Sequence, residues 1–251
     1  MKKGKGKYWK TEVQCSNGVN DMIFTVKYAG GTQKGSKREK KSKPTSEQKK
    51  AHNLKKTIEK LFYLLLCNFF PGDYHLVFTY PKGLVQSPQE AKAIFSNFLT
   101  LYREYCKKHG WNHGYVYNTE IGAKGALHHH CIMHSHKNIE DLEELWFKVS
   151  GGKIQHRSNL WANYDWYGLA EYFVDKTKGG KLPDTHIQGE RHYVPSKGLR
   201  RPIIRMERIE AERWYKPKAK KGYELIKDSI RDGEDELKGG NFIKFAMRRL
   251  I

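Results

Sequence analysis

Long hydrophobic runs are missing from this chain of 251 residues. The longest apolar stretch, Leu61 to Phe70, is too short to cross a bilayer and suits a buried helix, so no membrane partner is expected. The amino-terminal segment is basic without the apolar core of a secretion signal, so no export is expected either. Cysteine is scarce: Cys15, Cys67, Cys106 and Cys131 lie scattered, with no Cys-x-x-Cys pair. That argues against a zinc ribbon or a disulfide scaffold and fits a reducing cytoplasm. Acidic residues are few, 27 against 47 Lys and Arg, which leaves a formal charge of +20. Such an excess favours a polyanionic partner, nucleic acid before membrane. There is no phosphate-binding loop, because the glycine-rich stretch Gly30 to Ser36 lacks the Gly-Lys-Ser/Thr ending. No internal repeat of roughly 20–50 residues is visible.

What is present falls into three stretches. Residues 1–50 hold short β-like runs, such as Met22-Ile23-Phe24-Thr25-Val26, with Asn17-Gly18 as a turn signal. They end in a basic linker or arm that includes Lys34, Lys37, Arg38, Lys40, Lys41, Lys43, Lys49 and Lys50. A run of charge is usually just solvated, but on a chain this basic it also suits phosphate contact. Residues 51–215 carry the ordered patterns. Leu54, Ile58, Leu61, Phe62 and Leu65 recur at helical spacing, and Pro71-Gly72-Asp73 stops that helix. A strand follows at 75–80. Ser87-Pro88-Gln89-Glu90 is a capping box that opens a helix ending at Gly110. A strand-turn-strand comes next, then a helix capped by Asn138, a short strand at 153–155, and a helix from Asp165 to about Lys178. Residues 184–209 read as strand and turn. Residues 216–251 are charged and mostly polar, with a short terminal helix expected. This order predicts an α+β fold with one central antiparallel sheet flanked by helices.

The chemistry concentrates in Ala126-Leu127-His128-His129-His130-Cys131-Ile132-Met133, which reads as a buried strand. Alternate side chains of a strand share a face, so His128 and His130 point one way while His129, Cys131 and Met133 point the other. Upstream, Glu120 ends the run that begins at Tyr115-Val116-Tyr117. The stretch between, Ile121-Gly122-Ala123-Lys124-Gly125, has hairpin composition. A hairpin would set Glu120 beside His128 and His130. Two imidazoles and a carboxylate suit Mg²⁺, Mn²⁺ or a transition metal. The plainer alternative is a buried strand that happens to be rich in histidine.

A nucleophile candidate lies further along. In Leu169-Ala170-Glu171-Tyr172-Phe173-Val174-Asp175-Lys176, helical spacing puts Tyr172 and Lys176 on one face. A free tyrosine, with a pKa of about 10, becomes a nucleophile only when a metal or cation stabilises the phenolate. Most of the 15 tyrosines pack in the core or on the surface, and Leu169 and Phe173 beside Tyr172 allow it to do the same.

Four segments resemble the HUH endonucleases that initiate rolling-circle replication, and within them the initiators of the filamentous-phage gene II and Spiroplasma-phage type. They are Asn68-Phe69-Phe70-Pro71-Gly72-Asp73-Tyr74-His75-Leu76-Val77-Phe78-Thr79-Tyr80; Tyr117-Asn118-Thr119-Glu120 with His128-His129-His130; Tyr167-Gly168-Leu169-Ala170-Glu171-Tyr172 with Lys176; and Tyr193-Val194-Pro195-Ser196-Lys197-Gly198-Leu199-Arg200-Arg201-Pro202. The likeness spans roughly residues 52–205. It departs from the family in its middle histidine, His129, where members usually carry an apolar residue. It departs again in a lysine four, not three, positions after the tyrosine. Lys178 is the alternative lysine and Tyr167 the alternative or second tyrosine.

The resemblance implies an HUH endonuclease fold over residues 51–215. It also implies metal-dependent nicking and joining of a single strand. Glu120, His128 and His130 would hold Mg²⁺ or Mn²⁺, Tyr172 would attack to leave a 5′-phosphotyrosine, and Lys176 would assist. The substrate would be single-stranded or extruded origin DNA. The setting would be the cytoplasm of a bacterial host of a plasmid or phage. Without a phosphate-binding loop, helicase and polymerase would come from that host. Lys37, Arg38, Lys40, Lys41 and Lys43 are the candidate backbone contacts. The rivals are a transposase or relaxase using the same chemistry, a metal hydrolase using water, and a non-catalytic DNA-binding autoregulator.

Overall fold

The computed structural model describes residues 6–29, 45–122, 125–135, 139–175, 177, 191–211, 216–234 and 241–250. Its strands are β1 (Gly6–Ser16), β2 (Asp21–Ala29), β3 (Tyr74–Thr79), β4 (Tyr115–Ile121), β5 (Leu127–Met133), β6 (Lys153–Asn159), β7 (Val194–Pro195), β8 (Ile203–Ala211), β9 (Tyr223–Glu234) and β10 (Asn241–Arg249). The helices are α1 (Ser46–Asn68), α2 (Pro88–His109), α3 (Ile139–Ser150) and α4 (Tyr167–Val174). Helices and antiparallel sheets together make the fold α+β, as the sequence predicts. The chain divides into two compact units, residues 54–200 and residues 1–53 with 201–251.

In the unit of residues 54–200 the strand order is β6-β3-β5-β4-β7, every pair antiparallel. Strand alternation gives the sheet two different faces. Leu76 and Phe78 of β3, Tyr115 of β4, Cys131 and Met133 of β5, and Ile154 of β6 join Phe95, Phe98, Leu99 and Tyr102 of α2 and Leu142 and Trp146 of α3 in one core. The stripe expected on α2 forms because its ends are set. Ser87 Oγ accepts from Glu90 N at 3.2 Å, Pro88 opens the helix, and Gly110 closes it with φ of 68°. The Glu90 carboxylate accepts from Gln86 N, one residue before the position a strict capping box would use. The Asn138 cap proposed for α3 lies outside the described residues. β6 is longer than the expected 153–155.

α1 begins earlier than its apolar pattern suggests. Thr45 Oγ1 accepts from Gln48 N while Gln48 Oε1 accepts from Thr45 N, a reciprocal cap that takes Lys49 and Lys50 into the helix. The rest of the basic stretch, with Lys37, Arg38, Lys40, Lys41 and Lys43, lies outside the described residues.

The other unit is a five-stranded antiparallel sheet in the order β8-β1-β2-β10-β9. The expected Asn17-Gly18 turn joins β1 to β2, with Asn17 Oδ1 accepting from Asn20 N at 2.8 Å and Gly18 at φ of 95°. The carboxy-terminal stretch corrects the sequence reading. Residues 241–249 are a strand, not a helix, and Ile243, Phe245 and Met247 alternate into a small core with Ile23. The period-two pattern outweighs the surrounding charge because every second residue is buried.

Candidate active site

The sheet face opposite α2 and α3 gathers the polar residues. β4 and β5 pair with Glu120 directly across from His128 and Asn118 across from His130. The hairpin between them closes with Gly122 N donating to Ala126 O, and Gly125 sits at φ of 79°, a conformation side chains rarely adopt. The result brings one ligand atom from each of Glu120, His128 and His130 within 4.8 Å of the others. Glu120 and His130 are buried and His128 half-buried. Glu120 Oε1 lies 3.5 Å from His130 Nε2.

The hydrogen bonds around the imidazoles test whether a metal would fit. His128 Nδ1 is 3.3 Å from Ala126 O, and a carbonyl can only accept, so the proton sits on Nδ1 and Nε2 keeps its lone pair. His130 Nδ1 is 3.2 Å from Nε2 of the buried His75, whose own Nδ1 lies 3.5 Å from Ser158 Oγ. A proton on His130 Nδ1 donated to His75 likewise leaves Nε2 as a lone pair facing Glu120. Metal-bound histidines are usually oriented by such a bond from the second ring nitrogen. Two neutral imidazoles and a carboxylate thus suit Mg²⁺, Mn²⁺ or a transition metal.

His129 faces the other way and is fully buried in the core of α2 and α3. Its ring stacks on Phe95 at 4.1 Å, Nε2 meets Tyr80 Oη at 2.6 Å, and Nδ1 meets Thr119 Oγ1 at 3.0 Å. Tyr80 gives its proton to Ala91 O, so His129 donates from Nε2 and accepts at Nδ1. Burial, with the His128 charge second, pushes its pKa down to about 3 and keeps the ring neutral. A satisfied polar side chain therefore fills a position that is usually apolar in the initiators this chain resembles.

α4 brings Tyr172 to the same face as the metal set. Tyr172 Oη is 3.3 Å from His130 Nε2, and the two rings stand perpendicular at 5.1 Å. Phe173, the next residue, packs on His75 at 5.5 Å. The helix is tied to the sheet by Asn118, whose Nδ2 donates to Phe173 O at 2.9 Å. Tyr172 is 39 % exposed. Burial and then the Glu120 charge raise its pKa, so the side chain is a neutral phenol until positive charge reaches this face. Tyr167, on the same helix, turns to pack edge-on against Phe62 at 5.6 Å.

α4 is shorter than the sequence suggests at both ends. It starts at Tyr167 after Trp166, with no side-chain cap from Asp165. It stops at Val174 because Asp175 turns extended and its Oδ1 accepts from Thr177 N and Thr177 Oγ1, a local turn that competes with the next helical turn. The continuous helix invoked to align Tyr172 with Lys176 is therefore absent. Lys176 and Lys178 lie outside the described residues. The segment from Tyr193 to Pro202 closes the sheet edge. β7 pairs with β4, Tyr115 N donates to Ser196 Oγ, and Arg200 N and O bond the side chain of Asn68.

Sequence reading missed His75, Asn118 and Ser158 as members of the site. The only signal for His75 was its period-two place in β3, two residues before Val77, on the face opposite Leu76 and Phe78.

No helix of the described residues is long and apolar enough to cross a membrane. Residues 73–178 match the model of the replication-associated protein family that groups ORF2 with the gene II protein. The match covers less than half of the chain and spans β3 through α4, the elements that carry the site. No curated protein and no solved structure matches.

Proposed function

From the likeness of this segment to replication-associated proteins, we propose that the chain is an HUH-type rolling-circle replication initiator that nicks and rejoins single-stranded origin DNA. The observation that carries this reading is the meeting of Tyr172 Oη with His130 Nε2 beside Glu120 and His128. Packing alone would not require Tyr172 to point its hydroxyl at a ligand-bearing set.

Glu120, His128 and His130 hold the metal, Mg²⁺ or Mn²⁺, which when bound draws charge from the scissile phosphate and lowers the cost of a phenolate nearby. Tyr172 supplies the nucleophile. Its oxygen bonds to phosphorus, the bond to the 3′ oxygen breaks, and the phenol proton passes to the solvent that Tyr172 reaches. A 5′-phosphotyrosine and a free 3′-hydroxyl result. The phosphoester energy is retained, so a later 3′-hydroxyl can reverse the step and seal the strand. Asn118 keeps α4 in place during attack, and His75 is a positioning residue that holds the His130 tautomer. Lys176 is the cation expected to steady the phosphate. Lys37, Arg38, Lys40, Lys41 and Lys43 are proposed to contact the DNA backbone, with helicase and polymerase supplied by the host cytoplasm.

The test is incubation with single-stranded DNA from the chain's own locus and Mn²⁺, followed by denaturing electrophoresis. A shifted covalent band is expected from the wild type and from Tyr167→Phe, and none from Tyr172→Phe at unchanged DNA affinity. Adduct retained in Tyr172→Phe overturns the assignment. Cleavage with no adduct in any variant replaces tyrosine attack by water.

A further inference from the structure

The two faces of the sheet β8-β1-β2-β10-β9 differ in chemistry. On one, cations and acids alternate and pair: Lys10 with Glu12 and Glu207, and Lys220 with Glu12. The other is built differently. Registers across four strands place Arg208, Trp9, Tyr28 and Phe242 in one row. The next row is Met206, Thr11, Val26, Lys244 and Arg231. Among the described side chains of these two rows every charge is positive. Trp9 is 48 % exposed and Met206 68 %, while Tyr28 and Phe242 are half-buried. The Tyr28 and Phe242 rings lie 6.2 Å apart, and Lys244 Nζ stands 5.8 Å from the centre of the Phe242 ring.

We propose that this face is a stacking platform for single-stranded DNA, with the Trp9-Tyr28-Phe242 row receiving bases and Arg208 and Lys244 receiving phosphates. Three aromatic rings step across neighbouring strands at the sheet's spacing of roughly 5 Å. Exposed rings interleaved with cations bind single strands without reading sequence, because every base has a face to stack. A duplex hides those faces, so the platform discriminates by strandedness. The chain leaves β2 straight after Tyr28 into the segment carrying Lys34 to Lys43, which places further positive charge next in sequence. The choice of DNA over RNA rests on the proposed nicking activity. The platform itself lies in a different unit from Tyr172 and stands apart from that chemistry.

The test uses the full chain in EDTA, where no cleavage occurs, and reads anisotropy of a labelled oligothymidylate against an equal-length duplex and an oligouridylate. Trp9→Ala is expected to weaken the single strand about five- to hundredfold with an unchanged salt slope, and Trp9→Phe to restore most of it. Arg208→Gln and Lys244→Gln are each expected to make the log–log salt slope shallower by about 0.7. Trp9 is exposed, so Trp9→Ala is expected to melt like the wild type. Ultraviolet cross-linking of a bromodeoxyuridine oligonucleotide to the peptides holding Trp9, Tyr28 or Phe242 supplies a readout that needs no variant. Unchanged affinity in Trp9→Ala, or duplex bound as tightly as single strand, overturns the platform. A preference for uridylate overturns the choice of DNA. Loss of the platform leaves the Tyr172 adduct to be formed at high DNA concentration, whereas absence of the adduct leaves EDTA binding intact, so the two readings fail separately.

Discussion

His129 and His130 are neighbours in sequence with opposite duties, and the difference is purely one of facing. Replacing His130 by Ala removes a ligand atom, so Mn²⁺ affinity measured by calorimetry is expected to fall by more than about tenfold. Replacing His129 by Ala removes the Phe95 stack and two hydrogen bonds from a closed core. That variant is expected to lose about 2–4 kcal/mol in denaturant unfolding while its Mn²⁺ affinity stays close to wild type. Equal loss of metal in both variants would contradict the facing of β5. His75 touches the metal set only through His130 Nδ1. His75→Ala is expected to weaken Mn²⁺ binding about 10- to 100-fold and to broaden the paramagnetic resonance signal of the bound Mn²⁺. His75→Gln, whose side-chain oxygen can accept the same proton, should recover part of the affinity. No recovery together with an unchanged signal would make His75 a packing residue only.

At the scale of elements, the site depends on one short helix being held against one sheet. α4 has eight residues, no side-chain cap at its start and a competing turn at its end, so its own propensity does little to hold it. The bond from Asn118 to Phe173 O crosses from the central sheet to the last turn of the helix. Asn118→Ala is expected to cost about 1–2 kcal/mol of stability. It should also slow adduct formation through a lower rate at saturating DNA, with Mn²⁺ affinity nearly unchanged. A variant that forms adduct at the wild-type rate would show that Phe173 packing on His75 is enough to hold the helix.

At the scale of the whole molecule, the two ends of the chain are built into one sheet. β1 pairs with β8 and β2 with β10, and Glu12 takes ammonium groups from Lys10 of its own strand and Lys220 of the distant carboxy-terminal stretch. Burial alone would raise the Glu12 pKa and is the largest single influence, but the hydrogen bonds and charges of Lys220 and Lys10 together outweigh it and lower the value. A carboxyl whose folded pKa lies below its unfolded one, about 4.3, adds stability above that value and loses it as pH falls through the folded pKa. Urea unfolding from pH 7 down to pH 2 should therefore show an acid limb in the wild type that is flatter in Glu12→Gln, with Glu12→Gln less stable by about 1–3 kcal/mol at pH 7. Identical acid limbs would mean the pair contributes nothing to folding.

Local pattern determined much of this protein. The alternation of 127–133, the Gly-rich turn after Glu120 and the capping of α2 were readable because each depends on residues a few positions apart. The same alternation ran through Ile243, Phe245 and Met247, and its reading as a helix end shows how surrounding charge can mask a short period. The metal set was legible for the same reason: a hairpin joins Glu120 to His128 through one tight turn. Tertiary structure alone decided the rest. His75 reaches His130 because β3 lies beside β5, 55 residues away in sequence, and no local period encodes strand order. Tyr172 was separated from Tyr167 by which of them α4 turns toward the sheet, a choice made by Asn118 and Phe62 from other elements. The joining of β1 and β2 to β8 and β10 rests on backbone hydrogen bonds, which any sequence of suitable alternation can make, so only the assembled sheet reveals which strands are partners.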